Sequence, residues 1–507
     1  MKTLIKTILA SCIITSCSQY ESNTMHNEVQ SDNVNIENKT STTYVSVEEA
    51  TDIASVFMDR LTNKNNKTRS TQSHPTTITL KDGNRASMYV INYPEGGFAV
   101  VSASKNYYPI LAYSDEDSFD LSSNILGVEN WIKNTKVSIA SSESLNDSIK
   151  LEIHNLWESL NSKNPQSTDF TKASTRSGNL SEAEIACHNR CEELMNQAIS
   201  SGHEGWYFAP LYYARQAFDE AGFSSIYQNL CYSADFNHSP LEGSVIGWKI
   251  ITTRDKVGPL LTTKWGQRGP FNNLCNDHET GCGAIALAQV MKYHEYPNSF
   301  TFNGNVYDWS NIPSEIDSDS NQAALVKYVY NTINTSNLFG CIYTTPGNME
   351  DGIEDLGFGL STGDEDYMRV ENEIMSGRRP VIMLGNDDNL SMLPSPLSYV
   401  GNSHYWVCDG GDRRTENKLL LFTEWQPYGN GTFVQGWNSI DQPYDFGGVT
   451  YLYFHMNWGW YGECNGWFFF NSTDSGNAYG YDNSSLDNSG KGDFEHSRTN
   501  FYISIPQ

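Results

Sequence analysis

Beyond a polar N-terminal stretch, the apolar residues fall at helical spacing. Ala50, Ile53, Ala54, Phe57 and Leu61 follow Ser46, and Ser46 with Glu49 three residues on forms a capping box. The period then changes. Thr77–Leu80, Met88–Asn92 and Phe98–Ser102 read as strands, with Asp82-Gly83 and Gly96-Gly97 as the turns between them. The pattern predicts a small α+β unit over residues 44–135. From 136 to about 180 the chain is rich in Ser and Asn with some helical character, and 181–223 read as helical, with Cys187 and Cys191 one turn apart. We therefore expect residues 136–256 to be a helical linker region. From about 245 Gly, Trp, Tyr and Asn become frequent, and strand-like runs alternate with loops. One helix, Ala284 to Tyr293, interrupts them and is stopped by Pro297. The stretch 472–493, mostly Ser, Asp, Asn and Gly, reads as a long exposed loop.

The N-terminus adds a different signal. Lys2 and Lys6 precede an apolar run, Thr7 to Thr15, too short to span a bilayer. It ends at Ile14-Thr15-Ser16-Cys17, which resembles the lipobox of bacterial lipoproteins. Residues 1–16 are then a lipoprotein signal peptide, Cys17 a lipidated mature N-terminus, and 17–43 a polar tether. The expected location is lipid-anchored to a bacterial membrane, at the outer membrane or cell surface, with release after maturation an option. The plainer alternative is a secretory signal with an incidental cysteine.

A chain of 507 residues is too long for one core, so two or three folded units are expected. Its 38% hydrophobic and 18% charged residues suit a soluble globular protein. A formal charge of -27 repels phosphate backbones and argues against a nucleic-acid partner. Outside the export segment lie Cys187, Cys191, Cys231, Cys275, Cys282, Cys341, Cys408 and Cys464. The even number suggests disulfides in an exported protein, yet the irregular spacing leaves room for a working thiol.

Thr280-Gly281-Cys282-Gly283 places a cysteine between glycines where an apolar helix begins. The unpaired N–H groups and dipole of a helix N-terminus stabilise a thiolate, and the glycines allow close approach. Taken alone, Cys282 is equally a buried structural cysteine. His404 opens a short apolar run, His404 to Cys408, that ends in a turn at Gly410-Gly411. That puts an imidazole at a strand edge where it can face a cleft, although lone histidines are usually surface or core residues. His455-Met456-Asn457-Trp458-Gly459-Trp460 suits a cleft wall, where Asn457 or an indole can orient an imidazole. An aromatic core strand or a sugar-binding face fits the same residues. Gln267, fifteen residues before Cys282, can donate its amide to an oxyanion. His455 is a rival base, read as structural because it lies inside a strand-like run. Cys275, His278 and Cys282 are close enough to suggest zinc, but a second pair of ligands is missing, and no metal or cofactor is expected.

Several of these pieces occur together in one order. Pro259 to Gln267, Pro270-Phe271-Asn272, Thr280-Gly281-Cys282, Ala288 to His294, Gly377 to Val381, His404 to Gly410 and Asn457 to Trp460 resemble the streptopain family of bacterial cysteine peptidases. The resemblance is dense from about 257 to 475. Residues 44–135 resemble that family's propeptide, through Phe98-Ala99-Val100-Val101-Ser102-Ala103 and Leu111-Ala112-Tyr113-Ser114. The resemblance implies an α+β chain: a papain-like two-subdomain peptidase over 257–507, preceded by a small α+β propeptide-like domain that blocks the site until removed. It implies Cys282 as nucleophile, His404 as general base, Gln267 as oxyanion donor, and Asn457 with Trp458 as the groups that orient His404. The expected partners are protein or peptide substrates and the chain's own propeptide, with membrane contact only through a lipid anchor. Gly283 and Tyr461 depart from the family pattern, a larger residue and a Gly being common there. The non-enzyme alternative is a surface-anchored binding lipoprotein on an inactive peptidase fold.

Overall fold

The computed structural model describes residues 43–62, 75–142, 182–211 and 245–506, with gaps of which 387–402, 425–439 and 471–498 are the longest, and scattered positions between 145 and 218. The signal peptide, Cys17, the tether up to residue 42 and the 472–493 loop lie outside the described residues.

The first helix, α1 (Val47–Thr62), starts one residue after Ser46, whose Oγ accepts the Glu49 N–H at 3.2 Å. Its apolar stripe, including Ala50, Ile53, Ala54 and Phe57, is buried. Strands β1 (Thr76–Asp82), β2 (Arg85–Asn92), β3 (Phe98–Ser102) and β4 (Ile110–Ser114) pair antiparallel in sequence order. β3 and β4 are buried along their whole length, which is why they read as apolar runs without alternation. Helix α2 (Leu126–Ser141) follows and runs through the boundary expected at 135, because its apolar positions Val128, Ile132 and Ile139 continue past it.

The stretch expected to be a helical linker is corrected in part. Helix α3 (Glu182–Ser200) ends well before residue 223, and strands β5 (Tyr207–Pro210) and β6 (Val245–Val257) follow. Gly202 and Gly205 at positive φ (79° and 84°) break the helix, and the Trp206–Phe208 run then packs on α3 through buried Cys187, Cys191 and Leu194. β5 pairs β6, and β6 joins the main sheet.

The remaining elements build the site. They are α4 (Cys282–His294), β7 (Ser299–Phe302), β8 (Asn305–Asp308), α5 (Ser320–Thr332), β9 (Ser336–Leu338), β10 (Cys341–Tyr343), α6 (Pro346–Asp355), β11 (Gly359–Gly363), α7 (Tyr367–Met375), β12 (Val381–Asn386), β13 (Ser403–Glu424), β14 (Tyr444–Asp445), β15 (Val449–Asn457), β16 (Gly466–Phe470) and β17 (Thr499–Ser504). One sheet runs β1-β2-β3-β4-β16-β15-β13-β12-β17-β11. Its long member β13 pairs β12 along Ser403–Cys408 and β6 along Gly411–Glu424 on one edge, and β15 on the other.

The two-residue period of the strands divides the interior into two cores. Tyr405 and Val407 of β13, Ile382 and Leu384 of β12, and Phe501 and Ile503 of β17 face helices α4, α5 and α6. Trp406, Cys408, Val381, Met383 and Tyr502 face the opposite way, into a core shared with α1, β2–β4 and α2. The architecture is α+β, and the small N-terminal α+β unit shares its hydrophobic core with one face of the main sheet.

Candidate active site

Helix α4 carries Cys282 at its first residue. Gly281, the N-cap, has φ 80°, a conformation that favours glycine, and a Cβ there would lie 2.9 Å from the Ile342 side chain. From Gly283 to Met291 the helix is buried on every side, so its N-terminus is fixed from below. Gly283 is glycine for packing. A Cβ would sit 2.8 Å from Thr344 and 3.0 Å from Met349, so this departure from the family pattern serves the contact between α4 and α6.

Cys282 and His404 arrive from opposite faces of β13. The Tyr405 N–H donates to Cys282 Sγ at 3.3 Å, placing the sulfur against the residue after His404. His404 is buried, with its ring parallel to Trp406 at 6.2 Å and tilted on Trp458 at 6.3 Å. Its Nε2 lies 3.1 Å from the Trp458 carbonyl, an acceptor, so Nε2 carries the proton and Nδ1 is left as the base. Sγ and the imidazole do not hydrogen-bond to each other among the described contacts.

Gln267 is buried, and its backbone carbonyl accepts the Thr280 N–H at 3.0 Å, which fastens it beside the nucleophile's loop. Tyr461 braces the same segment. Its ring covers Gly266, where a Cβ would lie 2.4 Å away, and its hydroxyl accepts from Arg268 N at 2.9 Å and donates to Gly269 O at 3.1 Å. The expected role of Asn457 is corrected. Its amide donates to Thr263 O at 2.9 Å and pairs reciprocally with Gln289 at 3.3 Å, and none of its hydrogen bonds reaches His404. The backbone carbonyl of Trp458 orients the imidazole instead. A strand residue's neighbour points to the other face, so Asn457 and Trp458 cannot both address one ring.

His455, the rival base, is tied at Nδ1 to Asp409 Oδ1 at 2.5 Å and packs on Trp467. Cys275 is buried and free. Among the described residues no group of three or more His, Cys, Asp or Glu is arranged to hold a metal.

The propeptide domain covers this site. Gly127 in the first turn of α2 lies where a Cβ would be 2.6 Å from the Trp458 ring and 2.9 Å from His404 Cδ2. The approach to α2 is pinned as well: Cys464 N donates to Ser118 O at 3.1 Å, Cys464 Sγ to Asp120 O at 3.4 Å, and Ser123 Oγ to Glu463. Desolvation dominates the electrostatics under this cover. Burial pushes the Cys282 thiol up to about 11, against the lowering pull of the Tyr405, Gly283 and Cys282 N–H groups. Burial drives the His404 imidazole down to about 4, opposed by the Trp458 carbonyl. At neutral pH both groups are uncharged, so no thiolate is available for attack.

Sequence reasoning singled out Tyr461 only as a departure from the family pattern, and missed Gln289 and Gly127 as parts of the site. Gln289 carried a usable signal: it is the one polar side chain in an otherwise apolar run, Ala284 to Met291. Gly127 carried none, because its role depends on a contact across the domain boundary.

Two protein families match the chain. The Spi protease inhibitor family covers residues 42–139, and the Peptidase C10 family covers residues 265–468. No curated relative matches the sequence. Among solved structures, a fragment of Prevotella intermedia prointerpain A is 14% identical over 85% of this chain and 99% of its own, with a TM-score of 0.40. Active wild-type Prevotella intermedia interpain A cysteine protease is 19% identical over 49% of this chain and 94% of its own, with a TM-score of 0.29. With a Spi-type domain matched over residues 42–139 ahead of a segment, 265–468, that matches the peptidase C10 family and carries the helix-start cysteine and strand-edge histidine, the chain is a cysteine peptidase made with an inhibitory propeptide.

Proposed function

We propose that Cys282 is the nucleophile and His404 the general base of this cysteine endopeptidase, in a lipid-anchored proenzyme exported by its signal peptide. The observation that supports the assignment is that Cys282 Sγ accepts the N–H of Tyr405, the residue next to His404, while His404 Nε2 is held on the Trp458 carbonyl with Nδ1 left free to act as base. Once the cover is gone and water reaches the site, the Sγ proton passes to His404 Nδ1. The thiolate attacks the peptide carbonyl carbon, and the developing oxyanion takes hydrogen bonds from the Gln267 amide and the α4 N-terminus. His404 returns the proton to the leaving amine. Water then adds to the thioester, losing its proton to His404, and Cys282 leaves as a thiolate that is reprotonated.

The test is hydrolysis of casein by the full chain after activation. Cys282→Ala is expected to abolish it and to remove labelling by a peptidyl thiol alkylator; full activity in that variant would refute the assignment. Gln267→Ala is expected to lower kcat by roughly ten- to a thousandfold, as loss of an oxyanion donor does elsewhere.

The membrane reading rests on Ile14-Thr15-Ser16-Cys17 and the polar tether behind it. Labelled fatty acid should enter the wild type and not Cys17→Ala; an unlabelled wild type removes the anchor from the account. The charge of -27 supports protein rather than nucleic-acid substrates.

A further inference from the structure

Gln289 stands on α4 seven residues after Cys282, two helical turns further along and on the same face. It is fully buried, and it is the only polar side chain between Gly283 and Met291. A lone amide in such a helix must find its partners inside the protein, and their identity is informative. Its Oε1 accepts from Thr263 Oγ1 at 2.9 Å, Trp265 N at 3.3 Å and Asn457 Nδ2 at 3.3 Å. Its Nε2 donates to Asn457 Oδ1 at 3.3 Å. Asn457 completes the junction, donating to Thr263 O at 2.9 Å and accepting from Gly459 N at 3.1 Å.

These partners belong to the two segments that flank the nucleophile. Trp265 lies two residues before Gln267. Asn457 opens the turn that contains Trp458. The loop from 258 to 268 has no regular strand or helix of its own, so its distance from Cys282 is not set by a ladder of backbone bonds. The Thr280 N–H bond to the Gln267 carbonyl and the Tyr461 N–H bond to the Trp265 carbonyl hold its far side, and the amide of Gln289 ties its Thr263–Trp265 part to the Cys282 helix itself. His404 is held separately: Trp458 N donates to Asn465 Oδ1 at 2.9 Å and Trp458 Nε1 to Cys464 O at 3.0 Å.

We propose that Gln289 is a positioning residue for peptide hydrolysis: its buried amide fixes the Thr263–Gln267 segment against the Cys282 helix, so that Gln267 meets the oxyanion. This rests on the assignment of Cys282, His404 and Gln267 above. Preorganised donors act only within a few tenths of an ångström of their place, and a slip of about 1 Å can cost about a hundredfold in rate. An oxyanion donor is used in the transition state and not in the ground state, so the effect belongs to kcat rather than KM.

The experiment compares full-length wild type, Gln289→Leu, Thr263→Val, the double variant and Cys282→Ala, all activated by the same limited proteolysis. Peptide turnover is normalised to thiol titrated at Cys282. The rate of Cys282 alkylation by iodoacetamide is measured in parallel, because alkylation needs the thiolate but forms no oxyanion. Gln289→Leu should lower kcat by about thirty- to a hundredfold with KM within about twofold and alkylation within about threefold of wild type. Thr263→Val, which removes one donor from Oε1, should lower kcat by about three- to tenfold, and the double variant should be no worse than Gln289→Leu. Unchanged kcat in the single variants overturns the proposal. So does a parallel fall of kcat and alkylation, which would mark a merely structural role. If Gln289→Leu fails to fold, Thr263→Val alone decides by the same criteria. An inactive wild type, or an active Cys282→Ala, would instead sink the underlying assignment.

Discussion

Tyr113 ties the propeptide domain to the peptidase through one hydroxyl. It donates to Asp412 Oδ2 and accepts from Arg414 Nη2 at 2.9 Å and Arg254 Nη2 at 3.3 Å. Tyr113 and Asp412 are fully buried, and Arg414 nearly so. Burial alone would raise the Asp412 carboxyl, but Arg414 and Arg254 outweigh it and hold the group below its usual range. The Arg414 guanidinium also lies over Phe57 at 4.7 Å and Tyr453 at 5.3 Å, one ring from each domain. Tyr113→Phe leaves the ion pairs in place and removes their shared partner. It should destabilise the covered form by about 1–3 kcal/mol, the cost of leaving buried polar groups short of a partner. The measurement is the urea midpoint of the Cys282→Ala chain with and without Tyr113→Phe, and equal midpoints would contradict the role given to the hydroxyl.

At the scale of elements, α2 and β13 divide the work. β13 brings His404 to one face and offers the Tyr405 N–H to Cys282 on the other. α2 lays Gly127 against His404 and Trp458, and its Trp131 meets Phe468 of β16 edge-on at 5.0 Å. β4 extends the peptidase sheet through Trp467↔Tyr113 and Phe468↔Ala112, so the propeptide is held by strand pairing as well as by side chains. Gly127→Val places a branched side chain where even a Cβ is too close, and the aromatic wall behind it is packed. The first turn of α2 should lift, and activation by limiting protease should speed up by about tenfold, corresponding to roughly 1.4 kcal/mol lost from the covered state. Activation at the wild-type rate would show that α2 does not hold the site shut.

For the molecule as a whole, cover and acid work against each other. With its imidazole held at about 4, His404 binds fewer protons in the covered form than in an opened one, where its ordinary value is 6.5. Its contribution to the cover is therefore complete above about pH 6.5 and is lost as pH falls toward 4. Asp117 and Glu129, both raised by burial, act in the opposite sense. Hydrogen exchange of α2 amides in Cys282→Ala, corrected for intrinsic rates, should show less protection at pH 5 than at pH 7.5. Adding His404→Gln should flatten that dependence; an unaltered slope would remove His404 as its source.

Much of this molecule was legible in the sequence, because its signals are local. The capping box at Ser46, the strands of the propeptide unit, the helix after Cys282 and the order of the peptidase motifs all depend on residues close together in the chain. The cysteine-peptidase activity and the inhibitory domain followed from that order. Other features were fixed only when distant segments met. Asn457 looked like the group that orients His404, but strand alternation turns it to Gln289 and leaves the task to a backbone carbonyl, which has no sequence signature. The stretch 181–223 read as helical, yet Tyr207–Pro210 is a strand because β6 offers it an edge to pair with. Gly127 and Gly283 are glycines because another element lies within about 3 Å of each. Local pattern determined which elements and which chemistry the chain carries. Tertiary packing decided which groups touch, and so which of them can act and what keeps them silent.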